Sequence, residues 1–330
     1  MPRILRIVAV LLVGTLVGAA GSYLYANPET TLLDAAARAG LPGKFVMLPE
    51  GITHYDVSGP DTGRVVVLVH GFSVPYYIWD STAVALSAAG YRVIRYDMYG
   101  RGTSDRPVAT YDGALFDAQI DGLLDSLKVT TPVDLMGLSY GGFVTGHYVA
   151  THPTRVRTLT LVDPVASSRP LPATLTTPVL GAFLFQVRVV PGMANGQASD
   201  FLHPEKFPGW ADRYRPQMKF KGFGRALLGS MITSSNVDYN AHYAAVGKTG
   251  VPVLLIWGKQ DSTVSIALSD VVRKNIPGID FFPVDSSGHL PHMEQAGVVR
   301  TKMLEFLAAH PVAPAAADPV ADSASTPAKP

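Results

Sequence analysis

The chain has no cysteine among its 330 residues. That excludes disulfides, thiolate metal sites and a bacterial lipid-anchored cysteine, and it leaves the redox compartment open. Charge is scarce as well: Asp, Glu, Lys and Arg make up 16% of the chain, below the usual quarter. With 27 basic against 26 acidic residues the formal net charge is +1, so no nucleic-acid partner is expected. Apolar residues reach 47%, and a chain this long can bury a large core in one extended domain or two.

Part of the apolar excess sits at the N-terminus. Arg3 and Arg6 precede an uncharged run from Ile7 to Ala26, long enough to cross a bilayer with the arginines on the cytoplasmic side. A cleaved secretory signal is the competing reading. Leu24-Tyr25-Ala26 is a poor cleavage site and Ala19-Ala20-Gly21 comes early, which favours an uncleaved anchor. Either way residues 1–26 place the remainder outside the cytoplasm, periplasmic or extracellular, and secreted if the segment is removed. Residues 27–43, with Pro28 and Pro42, read as a stalk between membrane and domain.

From Lys44 onward strand and helix patterns alternate. Phe45–Leu48 and Ile52–Val57 read as two strands joined by the turn Pro49-Glu50-Gly51. Arg64–Val69 is a β-branched run suited to a strand buried on both faces. A helix over Ile78–Ala89 and a strand over Tyr91–Tyr96 follow. The next helix, Phe116–Leu127, carries Phe116, Ile120, Leu123, Leu124 and Leu127 on one side. Strands at Val133–Leu138 and Val156–Val162 flank a helix over Phe143–His152. The rhythm breaks over residues 164–248, where prolines, glycines and aromatics crowd together, with helical pieces expected near Leu175–Phe185 and Gly224–Ser234. It resumes with Val253–Trp257, a helix near Val264–Lys274, a strand at Phe281–Val284 and a helix from about Gly297 to Ala309. The pattern predicts an α/β fold with a mostly parallel sheet, helices on both faces and a helical cap inserted over the sheet's carboxyl edge. Its parts are a core over 44–163 and 249–310, a cap over 164–248 and a disordered Pro/Ala/Ser tail over 311–330.

Within this frame Gly137-Leu138-Ser139-Tyr140-Gly141 joins an apolar strand directly to a helix. Such a turn exposes a serine hydroxyl beside a helix N-terminus, which favours negative charge. A serine needs an adjacent imidazole to take its proton. Of nine histidines, His289 in Ser286-Ser287-Gly288-His289-Leu290-Pro291 lies in a loop on the same sheet edge, whereas His292 begins a helix and should face elsewhere. The imidazole in turn needs a carboxylate. Asp261 follows the strand ending at Trp257 and gives the chain order Ser, Asp, His; Asp163 ends another strand on that edge and is its rival. Backbone N–H groups of Tyr140, after the serine, and of Phe72, in His70-Gly71-Phe72-Ser73, are candidates for an oxyanion hole.

Taken in order, His70-Gly71-Phe72, Asp97-Met98-Tyr99-Gly100-Arg101-Gly102-Thr103-Ser104-Asp105, Gly137-Leu138-Ser139-Tyr140-Gly141-Gly142, Trp257-Gly258-Lys259-Gln260-Asp261 and Gly288-His289 resemble the α/β-hydrolase superfamily over roughly residues 44–309. The resemblance implies an acyl-enzyme mechanism without metal or cofactor, with Ser139 as nucleophile, His289 as base and Asp261 as its partner. It is closer to carboxylesterases and monoacylglycerol-lipase-type enzymes, some membrane-anchored, and so implies small apolar ester substrates. Dehalogenases and epoxide hydrolases carry an aspartate where Ser139 stands. Many carbon–carbon bond hydrolases have tryptophan where Leu290 stands and methionine where Tyr140 stands. They remain alternatives, as do cofactor-free haloperoxidases and perhydrolases. A proline-type aminopeptidase also remains, although this chain's insertion shows no acidic cluster that would hold a substrate amine, and a hydrolase-fold binding protein usually lacks triad residues that this chain keeps. The insertion's aromatic residues, Phe183, Phe201 and Trp210 among them, line an acyl pocket or form the insertion's own small core.

Overall fold

A computed structural model describes residues 2–311. Eight strands form one sheet in the order β1-β2-β4-β3-β5-β6-β7-β8. They are β1 Lys44–Leu48, β2 Gly51–Ser58, β3 Val65–Val69, β4 Arg92–Tyr96, β5 Val133–Leu138, β6 Val156–Val162, β7 Val253–Gly258 and β8 Asp280–Val284. β1 and β2 form an antiparallel hairpin, β2 runs antiparallel to β4, and every pair from β4 to β8 is parallel.

The period-2 pleat explains why the central strands read as unbroken apolar runs. Val65, Val67 and Val69 of β3 enter one core cluster, and Val66 and Leu68 enter the other. The first cluster is closed by helices Gly113–Ser126, Tyr140–Thr151, Tyr239–Lys248 and Ser269–Asn275, the second by Asp80–Ala88 and Ala296–Ala309 together with cap residues. Phe116, Ile120, Leu123 and Leu124 are all buried, as their spacing predicts. Each such side chain contributes roughly 1.5–3 kcal/mol of burial.

Two segments differ from the sequence reading. Residues 27–43 are not a free-standing stalk. Thr31 pairs with the 219–221 backbone, Glu29 accepts the N–H groups of Gly222 and Gly224, and the Pro42 carbonyl meets His54 Nε2 at 2.8 Å. Arg38 is buried against Asp105 and the Thr103 carbonyl. The segment therefore straps the cap to the core. Second, the insertion read as 164–248 leaves the cap after helix Phe223–Ser235. Helix Tyr239–Lys248 buries Tyr239, Tyr243 and Val246 against the core beside Tyr140–Thr151. The helical pieces expected near Leu175–Phe185 and Gly224–Ser234 are present as Ala173–Thr176, Leu180–Leu184 and Phe223–Ser235, and the cap before Phe223 is a chain of short α, 3₁₀ and π turns. Helix Arg3–Ala26 has no buried residue and is long and apolar enough to cross a membrane. The tail read as disordered, 311–330, lies outside the described residues apart from Pro311.

Candidate active site

β5 ends at Leu138 and helix Tyr140–Thr151 starts two residues later, so Ser139 must make the whole turn. It does so at φ 53° and ψ −117°, a region that costs a non-glycine residue on the order of 1–3 kcal/mol. The flanking glycines make the turn possible. A Cβ on Gly137 would lie 2.4 Å from the Gly141 carbonyl oxygen, and one on Gly141 would lie 2.4 Å from that of His70. The strained conformation is held by the Ser139 N–H, which donates to Val162 O of β6 at 2.9 Å, and by the Ser139 carbonyl, which accepts from Gly142 and Val165.

The loop after β3 runs alongside. His70 is fully buried; its Nε2 accepts the Met98 N–H at 2.9 Å, so its Nδ1 carries the proton and donates to Gly71 O at 2.8 Å. Burial pulls its pKa down to about 4, so the ring stays neutral and acts as a brace. Arg101, also fully buried, donates to Phe72 O at 2.8 Å, Tyr99 O at 3.0 Å and Ser230 Oγ at 2.9 Å. Its guanidinium lies 5.5–5.7 Å from the ring centroids of Phe72, Phe116 and Tyr140. Two buried side chains, a neutral imidazole and a guanidinium, thus fix the backbone on either side of the Phe72 N–H. Among the described residues, neither the Phe72 nor the Tyr140 N–H donates to a protein acceptor, and both residues line one cavity with Ser139.

His289 and Asp261 meet at the ends of the β7 and β8 loops, with Nδ1 and Oδ2 2.7 Å apart and both residues buried. Asp261 Oδ1 takes the N–H groups of Thr263 and Val264, each at 2.8 Å. Burial by itself lowers the His289 pKa, but the Asp261 hydrogen bond and charge, with a smaller push from Asp200, leave it raised above 6.5. Nδ1 is committed to Asp261, and His289 lines a second cavity together with Ser139. The rival Asp163 lies in the same cluster: its carboxylate, that of Asp261 and the imidazole have donor atoms within 4.8 Å of one another. Asp163 accepts the Gly258 N–H at 2.9 Å. Complete burial, then the Asp261 charge, push its carboxyl well above the usual range. His292 does face elsewhere, against Trp79 and the Ile78 carbonyl.

Two acidic residues that the sequence did not single out tie this edge to the cap. The Asp200 carbonyl accepts the His289 N–H at 2.8 Å, and its Oδ1 accepts the Thr263 hydroxyl at 2.8 Å. Glu294 accepts N–H groups from Leu202 and His203 on the cap and from Gly288 next to His289. No local pattern marks either one, because each partner is distant in the chain or lies across a loop. The arrangement offers a hydroxyl on a strained turn, a carboxylate-paired imidazole and unpaired backbone donors around one space, which suits acyl transfer.

The model of the alpha/beta hydrolase family matches residues 66–301. A pimeloyl-[acyl-carrier protein] methyl ester esterase of Neisseria meningitidis is 25% identical over 255 residues, covering 76% of this chain and 78% of that protein. A monoacylglycerol lipase of Xenopus laevis is 24% identical over 271 residues, covering 75% and 76% respectively. Among solved structures, the enol-lactonase of Burkholderia xenovorans LB400 superposes with a TM-score of 0.69 at 21% identity, covering 80% of this chain and all of that one. With a family match over most of its length and the mixed sheet that goes with it, the chain belongs to the alpha/beta hydrolase family.

Proposed function

We propose that this hydrolase cleaves carboxylic esters through an acyl-enzyme on Ser139. The observation that carries the reading is the buried His289–Asp261 pair, 2.7 Å apart, lining the cavity that Ser139 also lines from its strained turn. Ser139 Oγ attacks the ester carbonyl while His289 Nε2 takes its proton. The oxyanion that forms is held by the N–H groups of Phe72 and Tyr140. Asp261 fixes the imidazole with Nε2 free and stabilises the imidazolium, which then protonates the departing alcohol. Water repeats the sequence from the other side and releases the acid. Esterase and lipase relatives support the choice of ester over other acyl compounds.

Replacing Ser139 with Ala should abolish p-nitrophenyl butyrate hydrolysis while far-UV circular dichroism stays unchanged. Hydrolysis surviving at the wild-type rate would overturn the reading. The exposed apolar helix Arg3–Ala26 supports a membrane anchor or signal with the catalytic part extracytoplasmic. Mass spectrometry of the native N-terminus decides between the two: a chain starting near residue 27 would contradict the anchor.

A further inference from the structure

Two cavities meet at Ser139, and they are chemically unlike. The smaller, about 190 Å³, is lined by Ser139 and His289 and receives Met193, Gln197 and Asp200 from the cap. The larger, about 420 Å³, is lined by Ser139, Phe72 and Tyr140 and is walled by Val165, Leu171 and Met231 together with Arg169 and Ser234, without His289. The leaving oxygen must receive its proton from His289, so it departs on the histidine side. On the ester-hydrolase reading, on which this inference rests, the small cavity therefore takes the alcohol and the large, more apolar one the acyl chain.

We infer that Asp200 selects the alcohol, favouring esters whose alcohol part carries a hydroxyl or ammonium group a few atoms from the ester oxygen. The Thr263 hydroxyl holds Asp200 Oδ1, and among the described residues no side chain donates to Oδ2. The residue is partly exposed and lines the small cavity. Its own backbone carbonyl is bonded to His289 N, which fixes the carboxyl beside the point where the leaving oxygen emerges. A hydrogen-bonding acceptor left open in so small a space rewards a substrate that brings a donor and penalises one that brings a methyl group. Burial raises the Asp200 carboxyl and the His289 charge pulls it back. A hydroxyl partner suits either protonation form, whereas an ammonium partner requires the anion.

The test compares three butyrate esters by pH-stat: propyl, 2-hydroxyethyl, which has the same heavy-atom skeleton length, and 2-(dimethylammonio)ethyl. Wild-type enzyme is expected to favour 2-hydroxyethyl over propyl by about tenfold in kcat/KM, the scale of one hydrogen bond to a charged acceptor. Asp200→Leu should bring that ratio to about one. Asp200→Asn should keep the hydroxyethyl preference and lose the ammonium one. If Asp200→Leu lowers all three esters together at an unchanged ratio, Asp200 only supports the His289 loop and the inference falls. A wild-type preference for propyl overturns it too. Both outcomes leave the ester-hydrolase reading standing; that reading fails separately if wild-type enzyme hydrolyses none of the three.

Discussion

The sheet's carboxyl edge and the cap above it contribute to the same site by different means. β3, β5, β6 and β7 deliver Phe72, Ser139, Asp163 and Asp261 from loops rooted in parallel ladders, where each strand is flanked by two others. The cap delivers Met193, Gln197 and Asp200 from short turns and Met231 from helix Phe223–Ser235. Ser139 and Asp261 sit on loops of interior strands, His289 follows the edge strand β8 and is tied to the cap through the Asp200 carbonyl, and the cap residues that meet the variable parts of a substrate sit where the backbone has more freedom. Glu294 and Asp200 join the two regions on the His289 side.

This contrast can be broken from either side. The largest effect belongs to the core edge: Asp261→Ala should lower kcat/KM by about 10⁴-fold, as loss of a triad carboxylate does elsewhere. Asp163 lies in the same cluster and is the one nearby carboxyl that could take over. Full activity in that variant would mean that Asp163 serves as the acid. Gly141→Ala pushes a methyl group to within 2.5 Å of two backbone carbonyl oxygens of the β3 loop. It should destabilise the fold by about 1–3 kcal/mol and lower Tm, with activity falling as the Phe72 loop shifts. An unchanged Tm would show that the elbow is looser than its geometry implies. At the junction, Glu294→Ala strips three N–H groups of their acceptor and should reduce kcat about tenfold, with a smaller change in KM. An effect on KM alone would place Glu294 with the cap rather than with the histidine.

The smallest effect separates the regions by pH. The proposed role of His289 as base requires the neutral ring, and its folded pKa is raised, so kcat/KM should fall as pH drops through a value above 6.5. Removing a negative neighbour lowers that pKa and moves the acid limb to lower pH. The shift should be larger for Asp261→Asn, which loses a direct hydrogen bond, than for Asp200→Asn, which loses charge at a distance. Equal shifts in the two variants would erase the distinction between core and cap.

The same contrast governs what the amino-acid sequence could disclose. The core strands and the Phe116–Leu124 stripe carry their own periodicity, and the elbow, Asp261 and His289 follow strand ends in a fixed order. The cap has no period to read, because its turns are only three to five residues long up to Phe223. Helix Tyr239–Lys248 was legible in principle, since Tyr239, Tyr243 and Val246 fall on one face, but Asn, His and Ala between them blur the stripe. Residues 27–43 looked like a linker because what docks them is remote: Glu29 meets Gly222 and Gly224, and Arg38 meets Asp105. Arg101 belonged to a recognisable motif, yet its bonds to Phe72 and Ser230 exist only in three dimensions.

The most direct test is covalent. A fluorophosphonate probe followed by tryptic peptide mapping should modify Ser139 alone, and His289→Ala should suppress the labelling while the protein remains folded. Modification of another residue, or undiminished labelling of Ser139 without His289, would contradict the assignment of an activated nucleophile at this elbow.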